Sequence, residues 1–361
     1  MTRSSSTLAT DDKCINIRDD KFDDFANFLA ITAKHFIKQG YNINYISPIN
    51  EPQVKWNKNK WQEGSFATNS DSYKLVKELD KAISNHNISS KIIFGEVADM
   101  KYLFNADTNS FTPDNIIEEF FTKTGKFNIT SLKNVSNTLA AHDYWTAYPV
   151  ELLVNIRKQI NDSLKNAGLN TKLWASEYCI LEKNDDLSGR KPEEKSINLG
   201  LYTARIIHSD LAIANASAWQ WWTAVSLGED VPIQLKPMPK CNAESVKYDG
   251  IISPTKMLWT TANYSFFIRP GMWRIDFNRK QDISKIEAAN SLMGSAYTDG
   301  KKTIIIFINY CTNSQNIKIK GCKQTKGKIY ITDIYKNLEY CGEQKLSKLN
   351  IPQKSVLTIV F

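Results

Sequence analysis

Histidine is scarce in this chain, with four among 361 residues, and none pair at metal-ligand spacing. The six cysteines (Cys14, Cys179, Cys241, Cys311, Cys322 and Cys341) include no C-x-x-C pair. That spacing argues against structural zinc and disfavours a metal enzyme, so neither metal nor cofactor is expected. No apolar run approaches the roughly 18 residues needed to cross a membrane. Blocks of like charge are missing as well. The net charge is +8, but lysines are scattered through an Asn- and Ile-rich background, which argues against a nucleic-acid partner. Met1-Thr2-Arg3-Ser4-Ser5-Ser6 has no apolar core of a secretory signal. Cys311, Cys322 and Cys341 share one region and could form one disulfide, without a preferred pairing. The oligomeric state is left open.

What is present is enough apolar material, 42% of residues, for a large core, and a length that suggests two domains. Phe22, Phe25, Phe28, Leu29, Ala33, Phe36 and Ile37 recur at helical spacing over Lys21–Gln39, and Gly40 stops the run. Further helices are expected from a cap near Asn69, from Thr112-Pro113, and over Val150–Ala167, Ile197–Ala214 and Pro254–Ile268. Between them lie five short apolar segments: Asn44–Ile49, Lys91–Val97, Leu139–Tyr144, Lys172–Ser176 and Ser217–Trp222. Strands alternating with helices imply parallel βα units, and a closed barrel of that kind has eight. After Pro270-Gly271 the pattern changes to short β-branched segments, from Ser291–Tyr297 to Ser355–Phe361, separated by turn residues. The expected fold class is α/β: a partial (β/α)8 barrel over residues 1–268, then an antiparallel β-sandwich over 269–361.

Two glutamates end expected strands, Glu51 in Ser47-Pro48-Ile49-Asn50-Glu51-Pro52 and Glu177 in Trp174-Ala175-Ser176-Glu177-Tyr178-Cys179. The C-terminal strand edge is where a parallel barrel gathers catalytic groups. Two carboxyls converging there suit glycoside hydrolysis, with Glu51 as acid/base and Glu177 as nucleophile. Asn50 can offer its amide to a sugar hydroxyl. His142 and Tyr144 end the strand between them; either orients a carboxylate, or His142 is a hydrogen-bonded structural residue. Aromatic faces pack on the C–H faces of sugars, which makes Trp56, Trp61, Trp145, Trp219 and Trp221 candidates for a platform. Strand alternation puts Trp219 and Trp221 on one face and Gln220 on the other. Asp99, Glu63 and Glu96 are the substitute acids. A retaining pair has carboxyls roughly 5–5.5 Å apart, an inverting pair about 6.5–9.5 Å.

The segment Tyr45-Ile46-Ser47-Pro48-Ile49-Asn50-Glu51-Pro52-Gln53, followed by Trp61-Gln62-Glu63-Gly64-Ser65, resembles glycoside hydrolase family 30. The likeness is strongest to its endo-β-1,6-galactanase branch. Trp174–Leu181, Ala216–Ala224 and Ile268-Arg269-Pro270-Gly271-Met272 support it. The resemblance implies retaining hydrolysis of a polysaccharide or oligosaccharide, β-1,6-galactan first, with xylan, β-glucan or a glucosylated lipid as alternatives. It also implies secretion. Family members have three barrel strands upstream of the stretch that Met1-Thr2-Arg3 resembles, so the chain is expected to be a fragment lacking about a hundred residues. An inactive sugar-binding remnant is then the reading from another class.

Overall fold

The structure is a computed structural model that describes residues 17–54, 66–105, 114–181, 184–187, 196–228, 230–236 and 250–361. It separates into two compact units. The first comprises the described residues of Met1–Thr146, Ile156–Tyr178 and Ala214–Gln220; the second comprises those of Ala147–Asn155, Cys179–Ile213 and Trp221–Phe361.

In the first unit, helix α1 (Phe22–Lys38) buries Phe22, Ala26, Ala30 and Ala33 along one face. It ends ahead of Gly40, whose φ of +92° only glycine adopts freely. Helix α2 (Asn69–Asn85) starts from a capping box in which Thr68 and Asp71 satisfy each other's backbone N–H. Five strands follow the helices: β1 (Tyr45–Ile46), β2 (Lys91–Val97), β3 (Val135–His142), β4 (Lys172–Glu177) and β5 (Ala218–Trp219). They form one parallel sheet in the order β1-β2-β3-β4-β5, a curled half-barrel. The five expected strands are all present, but β1 and β5 have two residues each where six were expected. Pro48 has no N–H for the ladder, which limits β1. The segment after Thr112-Pro113, itself outside the described residues, forms only a five-residue wide turn at Ile117–Phe121. The next helix, α3, spans Val150–Asn166.

The second unit holds α4 (Ile197–His208), which is buried all round. A three-stranded sheet that the sequence reading misses joins β6 (Val225–Ser226), β7 (Ile233–Lys236) and β8 (Ile251–Pro254). Helix α5 (Lys256–Ser265) packs closely on α4, because a Cβ at Gly200 would lie 2.7 Å from Thr260 Cγ2. Then come β9 (Trp273–Ile275), α6 (Lys285–Ala289), β10 (Leu292–Thr298), β11 (Thr303–Asn309), β12 (Gln315–Ile317), β13 (Lys326–Thr332), β14 (Glu339–Lys345), β15 (Leu349–Ile351) and β16 (Ser355–Val360). Six of these strands make an antiparallel sheet in the order β14-β13-β16-β11-β10-β9, while β12 and β15 pair separately. Leu292, Ile305, Ile329, Leu349, Ile351 and Leu357 share one buried cluster. Asn263 of α5 donates to Thr358 Oγ1 at 2.9 Å and accepts from Thr332 Oγ1 at 2.6 Å, so this buried amide is satisfied. Cys179, Cys311, Cys322 and Cys341 are free thiols.

Candidate active site

Strands alternate their side chains between faces. On β2, Ile93 lines the inner cavity while Phe94 turns outward onto Phe120, ring centroids 4.4 Å apart. Strict alternation would send Glu96 outward with Phe94. Pairing slips instead: Gly95 opposes Ala140 and Val97 opposes Ala141, so Glu96 is the extra residue of a bulge. Gly95 makes the bulge possible. Its φ is +123°, and a Cβ there would stand 2.2 Å from the Ala140 carbonyl oxygen. A second slip, Ala141 to Ala175 then His142 to Glu177, leaves Ser176 as the extra residue on β4. Ser176 and Glu177 therefore both reach the same cavity, of about 500 Å³, with Glu96, His142 and Asn50.

Glu51 is buried, at 4% exposure, on a backbone with φ +47°. Its N–H donates to the Glu96 carbonyl at 2.9 Å, fastening the loop after β1 to β2. His142 sits between two carboxylates, Nδ1 2.9 Å from Glu51 Oε1 and Nε2 3.2 Å from Glu96 Oε2. Nδ1 is also 3.8 Å from Glu177 Oε1. Tyr144 donates its hydroxyl to Glu177 Oε1 at 2.9 Å. The turn carrying Tyr144 is braced from below by a fully buried ion pair, Arg157 Nη2 to Asp143 Oδ1 at 3.0 Å. Arg157 Nη1 also donates to the Thr146 carbonyl at 2.6 Å. One ligand atom each from Glu51, His142 and Glu177 lie within 4.8 Å of one another.

Burial opposes charge on His142, but the carboxylates accepting from its two nitrogens, with Glu177 nearby, outweigh it and push the imidazole up to about 9. Burial also works against the charge of Glu96, yet its bonds to His142, Ser176 and Ser47 hold that carboxyl below the ordinary glutamate value. Burial raises Glu177, opposed by the His142 charge and the Tyr144 hydroxyl. That upward direction runs against an ionised nucleophile, and His142 and Tyr144 are what restrain it.

The structure thus brings Glu51, Glu177, His142 and Tyr144 together, and Asn50 lines the same cavity. Trp145 is half exposed, with φ +59° and its ring 5.8 Å from that of Tyr144. Trp219 is half-buried on β5, and Gln220 is the residue of that segment lining the cavity. Trp221 is half-buried in the second unit. Trp56, Trp61 and Glu63 lie outside the described residues. Asp99 is not part of the cluster: it caps the turn Met100–Leu103 and pairs with Lys101 Nζ at 2.9 Å. Trp174 escaped the sequence reading as a cavity residue; its ring meets Tyr45 edge-on at 5.1 Å across the inner face.

A parallel barrel-type sheet with converging carboxyls at its C-terminal rim is an architecture shared by many glycosidases. Residues 1–230 match the family described as O-glycosyl hydrolase family 30, and the chain belongs to that family of glycoside hydrolases. The chain is 58% identical to a conserved exported protein from Bacteroides fragilis, with TM-score 0.96, covering 100% of this chain and 74% of that one. A family 30 endoxylanase from Clostridium papyrosolvens shares 18% identity and the fold, with TM-score 0.63, over 95% of this chain and 72% of that one. An endo-β1,6-glucanase matches at 17% identity and TM-score 0.57, over 95% of this chain and 64% of that one. No curated protein sequence matches the chain.

Proposed function

We propose that this protein is a retaining endo-glycosidase acting on β-1,6-galactan, with Glu51 as acid/base and Glu177 as nucleophile. The observation that carries the reading is the approach of a Glu51 oxygen and a Glu177 oxygen to within 4.8 Å at one strand rim. That spacing suits direct attack by one carboxylate better than the wider gap that admits a water. Glu177 attacks the anomeric carbon as Glu51 gives its proton to the departing glycosidic oxygen, leaving a glycosyl ester on Glu177. Glu51, now a carboxylate, takes a proton from water, whose oxygen attacks the same carbon and frees Glu177. Asn50 holds the sugar beside this pair, and Trp145 offers it an aromatic face. The exported relative supports a secreted enzyme.

Incubation with β-1,6-galactan should release short galacto-oligosaccharides whose newly formed ends carry the β configuration, read by NMR. Glu177→Gln should release none. Cleavage of xylan or β-1,6-glucan alone would move the substrate within the family. Binding without cleavage would instead make the chain a sugar-binding protein.

A further inference from the structure

We propose that Glu96 is a positioning residue that acts through His142, keeping the ring an imidazolium pinned against Glu51. The proposal rests on the functional reading above for its kinetic consequence and on geometry alone for the charge state. Two bulges, one on β2 and one on β4, place Glu96 and Ser176 beneath the catalytic pair, where simple alternation would leave Glu96 on the helix side. Ser176 Oγ donates to Glu96 Oε2 at 2.5 Å, and the same oxygen lies 3.2 Å from His142 Nε2. Glu96 also holds Glu51 through the backbone, by the 2.9 Å bond from Glu51 N–H to its carbonyl. Both residues sit at positive φ, +47° and +44°, a conformation that persists only where the surroundings enforce it.

A neutral imidazole has one N–H, so it can satisfy only one of two facing carboxylates. With Glu96 on Nε2 and Glu51 on Nδ1, the ring satisfies both as carboxylates only when doubly protonated, which is the state the site needs once Glu51 has given up its proton. The titratable groups facing it are Glu51, Glu96, Glu177 and Tyr144. In the reaction above, negative charge leaves Glu177 as its oxygen bonds the anomeric carbon and appears on Glu51 as it loses its proton. The imidazolium lies within reach of both, so it stabilises whichever of them carries the charge. Glu96 is the fixed counter-ion that lets it do so.

The test is the titration of the His142 ring, followed by NMR in the wild type and in Glu96→Gln, beside the pH profile of kcat/KM. In Glu96→Gln the midpoint should fall by at least about one unit, the alkaline limb should follow it, and kcat should drop about tenfold with KM nearly kept. Glu96→Asp, which keeps the charge, should restore part of kcat and return the midpoint toward the wild-type value; it also serves if the Gln variant fails to fold. An unchanged midpoint in Glu96→Gln, or an Asp variant no better than Gln, would overturn the proposal. The titration needs no substrate. A chain that cleaves no glycan would defeat the functional reading and leave the His142 assignment standing.

Discussion

The parallel sheet of the first unit and the six-stranded sheet of the second are made from similar residues to opposite ends. In the second, β11 runs in unbroken register against β10 and β16, and β16 against β13; their residues in the shared core, among them Ala296, Ile305, Phe307, Ile329, Leu357 and Ile359, are all buried and apolar. The first breaks its register on both β2 and β4, and Glu51, Glu96 and Trp145, all in that unit, have positive φ. Regular pairing buries apolar area and little else. The second sheet slips once as well, between Lys328 and Tyr330 on its edge pair, but the slips on β2 and β4 bring Glu96, Ser176 and Glu177 to one cavity.

Glu51→Gln should break the first sheet's chemistry while leaving its fold. Catalysis should drop roughly 10²- to 10⁴-fold, the usual worth of a positioned acid/base, with an unaltered circular dichroism spectrum. Arg157→Leu should do the reverse. It removes the guanidinium paired with the buried Asp143 carboxylate, costing about 3–5 kcal/mol in denaturant melts and loosening Tyr144. A pH series sharpens the contrast further. His142 is raised from 6.5 to about 9, so its stabilisation is complete below pH 6.5 and is lost as pH rises through about 9. The melting-temperature gap between wild type and His142→Gln should therefore narrow on the alkaline side, and a constant gap would contradict the imidazolium. Smallest is Ile329→Val in the second sheet, about 0.5–1.5 kcal/mol, with specific activity unchanged. Lost activity there would mean the two sheets are not as separate in role as they look.

Sequence pattern exposed the parallel strands and the two motif glutamates, because short apolar runs flanked by helices and an acid at a strand end are local signals. Glu96 ranked only as a substitute acid, since period two places it beside Phe94 and nothing local in Lys91–Val97 declares a bulge except Gly95. Trp174 is hidden for the converse reason: its inner-face role depends on Tyr45, three strands away by chain order. β14, reading Glu-Tyr-Cys-Gly-Glu-Gln-Lys, has no apolar alternation; it pairs as an edge on β13. Edge strands need few buried residues, so pattern misses them. At the C-terminus, where the pattern of short β-branched segments points to a sandwich, the structure has antiparallel sheets, one of six strands and a separate pair.

The two-residue rims of the parallel sheet have a consequence for amide exchange. β1 is tied to β2 through Tyr45 and Ile46, and β5 to β4 through Ala218 and Trp219, whereas β2, β3 and β4 are paired on both sides. Deuterium should enter Tyr45 and Trp219 well before Phe94, Leu139 or Leu173, because opening a rim leaves the middle closed. Glu51 follows β1 and Glu177 ends β4, so the two carboxyls hang from backbone of unequal tenacity. A glycan bridging them would show itself as slowed exchange on the β1 side, with the β4 side already too slow to change.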